Sequence, residues 1–282
     1  MNKIKILITG SKGTLGSYVS KIFKDKKYEL LLTSRMDFDI TNKSQIEKYM
    51  LKTCPDFVIH LAAKTNVDEC ERDSQNALLV NTTATEHIAQ ACKKIGSKLI
   101  FISTTAVFDG KKKGYTESDI PGPINTYGKT KLMAEEKIKE ILKYYYIIRA
   151  GWMIGGGNHE KKFVSYIIKQ LNQKEIKVVN DKYGTITYAK ELVEFIKKII
   201  EGKFIFGLYH FGSSGICSRF DIAKRIIKIL EKDNKIVPVL SKEFEHMFYA
   251  KRPKYEVLKS KKIPFVSTWK KSLENYLRYE II

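Results

Sequence analysis

The feature that most constrains the fold is an apolar run that leads directly into a cluster of glycines near the start of the chain. The segment Ile4-Lys5-Ile6-Leu7-Ile8-Thr9 has the composition of a buried strand, and Gly10, Gly13 and Gly16 follow it at intervals of three. A helical pattern begins at about Thr14. A strand, a glycine turn and a helix in this order bring unpaired backbone N–H groups close to a phosphate. The segment therefore predicts a dinucleotide-binding turn, although its spacing differs from GxGxxG and a purely structural turn also carries glycines.

The first 150 residues alternate strand-like and helical patterns. Strand-like runs span 3–9, 28–33, 56–61, 98–104 and 144–149, and helical patterns lie near 14–26, 42–52, 75–95 and 124–143. Strands that alternate with helices form parallel sheets through right-handed crossovers, so that helices cover both faces. Residues 1–150 are therefore predicted to form a Rossmann-type α/β domain, with a doubly wound parallel sheet that binds a dinucleotide.

The pattern is looser after residue 150. Amphipathic segments lie near 161–172, 188–201 and 218–231, short strand-like runs near 176–179 and 207–211, and a last helical pattern near 267–280. Residues 151–282 are predicted to form mostly a smaller substrate-binding lobe, with some segments that return to the Rossmann domain.

The net charge of +20 over 282 residues raises the hypothesis of nucleic-acid binding. Lysines are spread along the chain, however, and short runs such as Lys111-Lys112-Lys113 have no interleaved aromatic residues. A solvated surface that attracts anionic small molecules is the favoured interpretation. No nucleic-acid partner is predicted.

Membrane and secreted classes are also disfavoured. No run approaches the roughly 18 apolar residues of a transmembrane helix, and the N-terminus enters a strand without the apolar core of a signal peptide. The four cysteines are scattered, as expected of buried thiols in a reducing cytoplasm. The run Asp68-Glu69-Cys70-Glu71 has no second cluster to complete a metal site. It is interpreted as a loop and a helix start, and no metal is predicted.

A second motif, Tyr127-Gly128-Lys129-Thr130-Lys131, follows the strand that ends at Thr104. The spacing places Tyr127 and Lys131 on one face of a helix. Carbonyl reduction needs a proton donor for the developing alkoxide, and a nearby cation lowers the pKa of a tyrosine from about 10 toward the working pH. Thr104 would hydrogen-bond the carbonyl oxygen. Thr104, Tyr127 and Lys131 are therefore the predicted catalytic residues, although Tyr-x-x-x-Lys also occurs by chance.

The identity of the cofactor is predicted from Leu32-Thr33-Ser34-Arg35, at the end of the second strand. An acid there binds a ribose hydroxyl of NADH, whereas a cation accommodates the 2′-phosphate of NADPH. Arg35 favours NADPH, with NADH as a possible cofactor and a plain surface arginine as the structural alternative. The residues expected to contact the cofactor are Gly10, Lys12, Gly13, Thr14, Leu15 and Gly16 of the turn, Arg35, Asp39 and Ile40 beyond the second strand, Leu61, Ala62 and Ala63 beyond the third, Asn81, Tyr127 and Lys131.

Two residues near strand ends have structural alternatives. His60 ends a buried strand and is interpreted as a core histidine with satisfied hydrogen bonds rather than as a base. Trp152 follows the fifth strand. Its place at the carboxyl edge of the sheet favours a wall of the substrate site over a core position.

On these motifs the chain resembles the dTDP-4-dehydrorhamnose reductase family, a branch of the extended short-chain dehydrogenase/reductases that act on nucleotide sugars. Val107-Phe108-Asp109-Gly110 and Arg252-Pro253-Lys254-Tyr255 are more specific to this family than the glycine turn is. Further matching stretches are 54–63, 65–68, Ser103-Thr104, 127–132, Asn180-Asp181 and 207–210.

The resemblance implies reduction of the C4 ketone of a dTDP-linked 4-keto-6-deoxyhexose with NADPH or NADH, for polysaccharide or glycoconjugate precursors. It also implies a cytoplasmic enzyme that takes a nucleotide-sugar substrate, and it allows a homodimer. Thr104, Tyr127 and Lys131 match the catalytic residues of the family. The residues expected at the substrate are Thr65, Val67, Thr104, Thr105 and Trp152 around the sugar and Arg252 at the nucleotide diphosphate.

The chain departs from the family pattern near the expected sugar pocket. Thr105-Ala106 replaces the usual Asp-Tyr after the catalytic threonine, so an acid is lost there. Lys64 stands where an aromatic residue or a histidine is common, and Ile186 replaces a proline. The type of reaction is thus better defined than the sugar or the nucleobase.

Two other functions remain open. An epimerase on the same fold would keep its cofactor bound and show no net oxidation, whereas a dehydratase is disfavoured because it places an acidic pair next to the catalytic threonine. A non-catalytic alternative is the regulatory subunit of methionine adenosyltransferase, which is a relative of the family.

Overall fold

The computed structural model describes residues 3–157, 160, 162–263 and 267–282. The first part of the chain contains β1 (Ile4–Thr9), α1 (Gly16–Ile22), β2 (Tyr28–Thr33), α2 (Lys43–Thr53), β3 (Phe57–His60), α3 (Val67–Arg72), α4 (Ser74–Leu78), α5 (Ala84–Ile95), β4 (Lys98–Thr104), α6 (Thr126–Ile141) and β5 (Tyr145–Ala150). The second part contains β6 (Trp152–Ile154), α7 (Phe163–Lys169), β7 (Glu175–Val179), β8 (Tyr183–Gly184), β9 (Ile186–Tyr188), α8 (Ala189–Ile200), β10 (Gly207–Phe211), β11 (Cys217–Ser218), α9 (Arg219–Ile229), β12 (Lys235–Val239), β13 (Tyr255–Glu256) and α10 (Trp269–Glu280).

A parallel sheet of six strands forms the centre of the structure, in the order β2-β1-β3-β4-β5-β10. Side chains of successive strand residues point to opposite faces. In β1, Ile6 and Ile8 pack in a core with residues of α1 and α8, whereas Leu7 packs in a second core with residues of α2, α5 and α6. Helices therefore cover both faces, and the predicted doubly wound Rossmann-type sheet is confirmed.

The predicted helix over 75–95 is interrupted. Between α4 and α5 the chain makes one wide π-helical turn, Leu79–Thr83. Within it, the amide of Asn81 binds Thr130 Oγ1, and the hydroxyl of Thr82 donates to the carbonyl of Thr130 on α6. These contacts with another helix direct two polar side chains inward, which helical periodicity alone does not predict.

The second part of the chain divides between the large sheet and a smaller lobe. Strand β10 pairs with β5, and α8 packs on the sheet. The lobe contains the parallel pairs β6-β9 and β7-β12 and the three-stranded sheet β11-β8-β13. Several of these strands have only two or three residues, so pairing defines them rather than a sequence pattern. Among the described residues, no helix combines the length and apolar character needed to cross a membrane.

The carboxyl ends of the sheet strands place the predicted site residues along one edge. The glycine turn follows β1, the segment 61–67 follows β3, Thr105 follows β4 and Trp152 lies just beyond β5. From β1 the chain passes to β2 on one side, and β3 lies on the other. Ligands of open α/β sheets bind at such a change of direction.

Candidate active site

A cavity of about 860 Å³ opens at this change of direction, a size typical of ligand pockets. Its walls come from the glycine turn, the end of β2, the segment after β3 and the helices α3 to α4. Nine predicted cofactor contacts line it: Gly10, Lys12, Gly13, Arg35, Asp39, Ile40, Leu61, Ala62 and Ala63. These nine residues, predicted from separate segments of the sequence, therefore surround a single cavity.

The glycine turn leaves no room for side chains at two of its positions. A Cβ on Gly10, where φ is 68°, would lie 2.8 Å from the backbone nitrogen of Ala62. A Cβ on Gly16 would lie 2.1 Å from the carbonyl oxygen of Ser11. The backbone of the glycine turn therefore packs directly on neighbouring backbone at these two positions, and main-chain groups of the turn face the cavity. This cradle fits the pyrophosphate of a dinucleotide.

Other predicted cofactor residues lie away from the cavity wall. Leu15 is buried in the apolar core, and α1 begins at Gly16, later than the predicted Thr14. The later start reflects the turn itself, because the N–H of Ser11 bonds to the carbonyl of Thr33 and the N–H of Gly13 bonds to the carbonyl of Gly10.

Asn81 is buried and braces the loop after β3. Its Oδ1 accepts from the N–H of Lys64 at 2.8 Å, and its Nδ2 donates to the carbonyl of Lys64 at 3.1 Å. The geometry indicates support for the cavity wall, because Lys64 itself lines the cavity.

The interpretation of His60 as a satisfied core residue is confirmed. Its Nδ1 lies 2.7 Å from Thr9 Oγ1, and its Nε2 lies 3.1 Å from Thr85 Oγ1. Thr9 Oγ1 also accepts from the N–H groups of Leu61 and Ala62, so its proton points to Nδ1. Burial, and then the charge of Lys131, lowers the pKa of His60 to about 3. The imidazole is neutral and joins the ends of β1 and β3 beneath the cavity.

The cations Lys12 and Arg35 lie at the β2 end of the cavity. Both side chains line it, and Lys12 Nζ lies 3.9 Å from the sulfur of the exposed Met36. Arg35 is exposed. Two cations at this position suit a phosphate group on the adenosine ribose.

Two of the predicted catalytic residues, Thr104 and Tyr127, meet at the end of β4, and Lys131 lies one turn further along α6. Thr104 is its last residue, and its hydroxyl accepts from the N–H of Ala106 at 3.1 Å. Tyr127 lies in the first turn of α6, where Asn125 caps the helix by accepting from the N–H of Gly128 at 2.9 Å. A Cβ on Gly128 would lie 2.0 Å from the carbonyl oxygen of Ala106. The glycine therefore allows the first turn of α6 to pack directly on the turn after Thr104.

The pKa values of Tyr127 and Lys131 differ from the expectation. Burial raises the pKa of the half-buried Tyr127 to about 12, although a hydrogen bond with Thr104 lowers it. Burial also lowers the pKa of Lys131 to about 7, and its Nζ lies 3.8 Å from the ring centroid of Phe101. The predicted lowering of the tyrosine pKa is therefore wrong for this structure. Desolvation has a larger effect on the phenol than any hydrogen bond or charge that acts on it.

A buried polar layer supports α6 from below. Glu135, two turns after Tyr127, accepts from Arg149 Nε at 2.9 Å and Nη2 at 2.7 Å, and from Ser103 Oγ at 2.6 Å. Ser103, Arg149 and His210 occupy one level across β4, β5 and β10. This layer lies one residue below Thr104, and it was not predicted from the sequence.

Trp152 is held from three directions. Its Nε1 donates to Glu256 Oε2 at 2.8 Å, and the guanidinium carbon of Arg219 lies 3.9 Å from a ring centroid. A Cβ on Gly184 would lie 2.5 Å from the indole, so backbone covers the ring there. Neither Arg219 nor Glu256 was predicted from the sequence. The one available signal was that Glu256 directly follows the motif 252–255.

The remaining predicted substrate residues lie in two places: Thr65 and Val67 follow β3, and Arg252 lies in the lobe that faces α3. Thr65 is exposed, and Val67 is the first residue of α3. Arg252 Nη2 lies 2.6 Å from Asp68 Oδ2, and Asp68 Oδ1 accepts from two N–H groups of the lobe. The guanidinium of Arg252 thus has an acidic partner, and the pair joins α3 to the lobe. The site roles of Thr65, Val67 and Arg252 stay predictions.

Comparison with known proteins extends over nearly the whole chain. The family model described as RmlD substrate binding domain matches residues 4–280. The spore coat polysaccharide biosynthesis protein SpsK of Bacillus subtilis is 32% identical and is covered over 97% of both chains. The dTDP-4-dehydrorhamnose reductase structure from Yersinia enterocolitica has a TM-score of 0.92 at 41% identity, with 98% of this chain and 99% of that chain covered. The Bacillus anthracis reductase in complex with NADP has a TM-score of 0.93 at 32% identity, with the same coverage. This chain therefore belongs to the RmlD family of dTDP-4-dehydrorhamnose reductases.

Proposed function

We propose that this protein is an NADPH-dependent reductase of the C4 ketone of a dTDP-linked 4-keto-6-deoxy sugar, and that it supplies precursors for polysaccharides or glycoconjugates. The observation that carries the proposal is the hydrogen bond between Tyr127 and Thr104, with Lys131 one turn further along the same helix, at the sheet edge that also bears the dinucleotide cavity. Relatives with the same fold over almost their full length are named as reductases of this class.

The chain has groups suited to each part of the cofactor. The glycine turn would bind the pyrophosphate through its backbone, and Lys12 and Arg35 would bind the 2′-phosphate. Lys131 would bind the nicotinamide ribose. A bound reduced nicotinamide supplies the hydride that the carbonyl carbon accepts. NADH would bind with the same contacts except those to the phosphate, so it is the weaker cofactor in this proposal.

The protein residues would polarise the ketone and protonate its oxygen. Thr104 would donate a hydrogen bond to the carbonyl oxygen. Tyr127 is protonated at neutral pH because its pKa is about 12, so the phenol is ready to donate its proton to the developing alkoxide. Lys131, one helical turn away, would stabilise the phenolate that remains. A protonated, desolvated tyrosine suits the reducing direction of the reaction.

The substrate would lie between the loop after β3 and the lobe. Thr65, Val67, Thr105 and Trp152 would contact the sugar, and Arg252, oriented by Asp68, would contact the diphosphate. In this proposal residues 1–150 bind the dinucleotide, and most of 151–282 bind the nucleotide sugar. We further propose that the enzyme acts in the cytoplasm and that a homodimer is its assembly.

The test is oxidation of NADPH by the purified protein with a panel of dTDP-, GDP- and CDP-linked 4-keto-6-deoxy sugars. We expect stoichiometric oxidation with a dTDP-linked sugar, and NMR of the product would identify its configuration. Bound cofactor without oxidation on any sugar would contradict the proposal and favour an epimerase. Absence of both turnover and sugar binding would favour a regulatory subunit.

A further inference from the structure

The carboxylate of Glu256 lies among the residues proposed to bind the sugar. Its Oε1 accepts a hydrogen bond from Thr105 Oγ1 at 3.1 Å, and its Oε2 accepts one from Trp152 Nε1 at 2.8 Å. Thr105 directly follows Thr104, and Trp152 lies just beyond β5. Glu256 is half-buried, so the residue retains exposed surface.

The backbone holds this carboxylate in place. Glu256 lies on β13 opposite Gly184 of β8, and its carbonyl accepts from the N–H of Thr185 at 3.1 Å. Gly184 in turn covers the indole of Trp152. A backbone shift of Glu256 away from Thr105 would therefore break strand pairing and disturb the indole, and the hydrogen bonds from Thr105 and Trp152 orient the carboxylate itself.

The charge of Glu256 acts on both Tyr127 and Arg219. It contributes to the raised pKa of Tyr127, which places it within electrostatic range of the phenol. Arg219 stacks on Trp152, and although burial lowers its pKa to about 10, Glu256 raises it, so the guanidinium is charged at neutral pH. A nearby cation offsets the repulsion between this carboxylate and an anionic nucleotide sugar.

The carboxylate has unused hydrogen-bonding capacity. An ionised carboxylate offers about four acceptor positions, and Thr105 and Trp152 occupy two of them. The hydroxyl groups of a hexose ring are donors of the matching kind. Relatives of the family usually carry an acid at the position of Thr105, and this chain does not. Here β13 of the lobe brings the carboxylate of Glu256 next to Thr105, so an acid is present at this place in the structure.

We propose that Glu256 is a specificity-determining residue of the sugar pocket, where its carboxylate accepts a hydrogen bond from a ring hydroxyl of the nucleotide-linked hexulose. The inference rests on the proposed function, since it concerns the substrate of that site. Binding of the sugar removes water from the carboxylate, and the ring hydroxyl replaces that water as a hydrogen-bond donor. A sugar without this hydroxyl would leave the charged acceptor unpaired and would therefore bind more weakly.

The experiment compares wild type with Glu256→Gln in steady-state kinetics on the preferred dTDP-linked 4-keto-6-deoxy sugar. Because Trp152 Nε1 can only donate, the amide oxygen of the variant must face it, and the amide NH₂ then faces Thr105. The variant keeps the tryptophan in place and loses the charge. We expect kcat/KM for the sugar to fall at least about tenfold, with the KM for NADPH within about twofold of wild type.

Three variants act as controls. Glu245→Gln removes an exposed acid of the same lobe and should leave both KM values unchanged. Glu256→Asp keeps the charge and should recover part of the loss. Trp152→Phe removes the indole donor and retains the carboxylate. If Glu256 only positioned Trp152, Glu256→Gln would keep wild-type kinetics, because its amide oxygen still accepts from the indole, and only Trp152→Phe would lose activity.

Deoxy sugars and direct binding complete the test. A substrate analogue that lacks the recognised hydroxyl should bind wild type and Glu256→Gln about equally, and a persistent difference with every deoxy analogue would overturn the inference. Titration of the sugar into the protein with NADP⁺ measures Kd without turnover. Glu256-dependent binding without NADPH oxidation would refute the proposed reaction alone, whereas turnover with a Glu256-independent KM would refute the inference alone.

Discussion

Glu135 and Arg149 form a two-point ion pair in the interior, with oxygen–nitrogen distances of 2.9 and 2.7 Å and almost no solvent exposure of either side chain. Glu135 lies on the same helix as Tyr127 and Lys131, and Arg149 lies on β5 beside the end of β4. The pair therefore joins the helix that bears two predicted catalytic residues to the strand next to the third. Removal of one partner would leave a buried charge without compensation.

We predict that Glu135→Gln lowers the free energy of unfolding by about 3–5 kcal/mol, because Arg149 then keeps a buried, uncompensated charge. Chemical denaturation at pH 7 measures the change. Glu140→Gln removes the exposed partner of Lys137 on the same helix, and we expect a change within about 0.5 kcal/mol. If both substitutions changed the free energy of unfolding equally, the buried pair would contribute no more to stability than an exposed one, which would contradict the prediction.

We predict that Lys131→Met stabilises the cofactor-free protein. The folded-state pKa of Lys131 is about 7, below the ordinary value of 10.5, so the unfolded chain binds a proton between these values that the folded protein does not. The free energy of unfolding of wild type therefore rises with pH from about 7 to 10.5, and the cost of the buried ammonium is fully present below pH 7.

The advantage of Lys131→Met should be on the order of 5 kcal/mol at pH 6 and should shrink as the pH approaches 10.5. Denaturation curves from pH 6 to 10 measure it. Lys129→Met, at an exposed position of the same helix, should show no such pH dependence. Parallel stability curves for wild type and Lys131→Met would contradict the lowered pKa.

Tyr127→Phe removes the proposed proton donor and keeps the ring. We expect kcat to fall by roughly two or more orders of magnitude, with little change in affinity for the substrate. Stopped-flow oxidation of NADPH measures the rate, and Tyr144→Phe, an exposed tyrosine before β5, is the matched control. Activity near wild type would remove Tyr127 from its proposed role.

Gly128→Ala tests the close packing of α6 on the turn after Thr104. The new Cβ would overlap the carbonyl oxygen of Ala106, so the helix start must shift away from the catalytic threonine. We expect kcat to fall at least about tenfold, since small misplacements of reacting groups are costly. Gly122→Ala, whose Cβ meets its nearest neighbour only at 3.9 Å, should retain activity. A fully active Gly128→Ala would refute this geometric requirement.

Arg35→Ala tests the assignment of the 2′-phosphate. The exposed guanidinium at the end of β2 is expected to bind the phosphate of NADPH, so its loss should raise the KM for NADPH by about tenfold and the KM for NADH far less. Initial rates with both cofactors provide the comparison. Lys26→Ala removes one exposed positive charge at the opposite edge of the sheet and should affect neither KM. The same increase for both cofactors would exclude a phosphate contact.

Local patterns in the sequence were sufficient for much of the fold and for the reaction end of the site. The strand, glycine turn and helix at the N-terminus, the alternating elements that follow and the spacing of Tyr127 and Lys131 are properties of neighbouring residues, which periodicity and backbone geometry govern directly. The satisfied core position of His60 was also predictable, because a polar residue that ends a buried strand needs hydrogen-bond partners.

The distant residues that complete the site come together through long-range packing. Glu256 meets Thr105 across 151 positions, and Glu135 meets Arg149 through the packing of a helix on the sheet. The high pKa of Tyr127 and the low pKa of Lys131 also arise there, because desolvation depends on all the elements that exclude water from a group and not on its neighbours in the chain. Local sequence patterns thus define the class of fold and the chemical groups available, whereas long-range packing sets their environment and their partners.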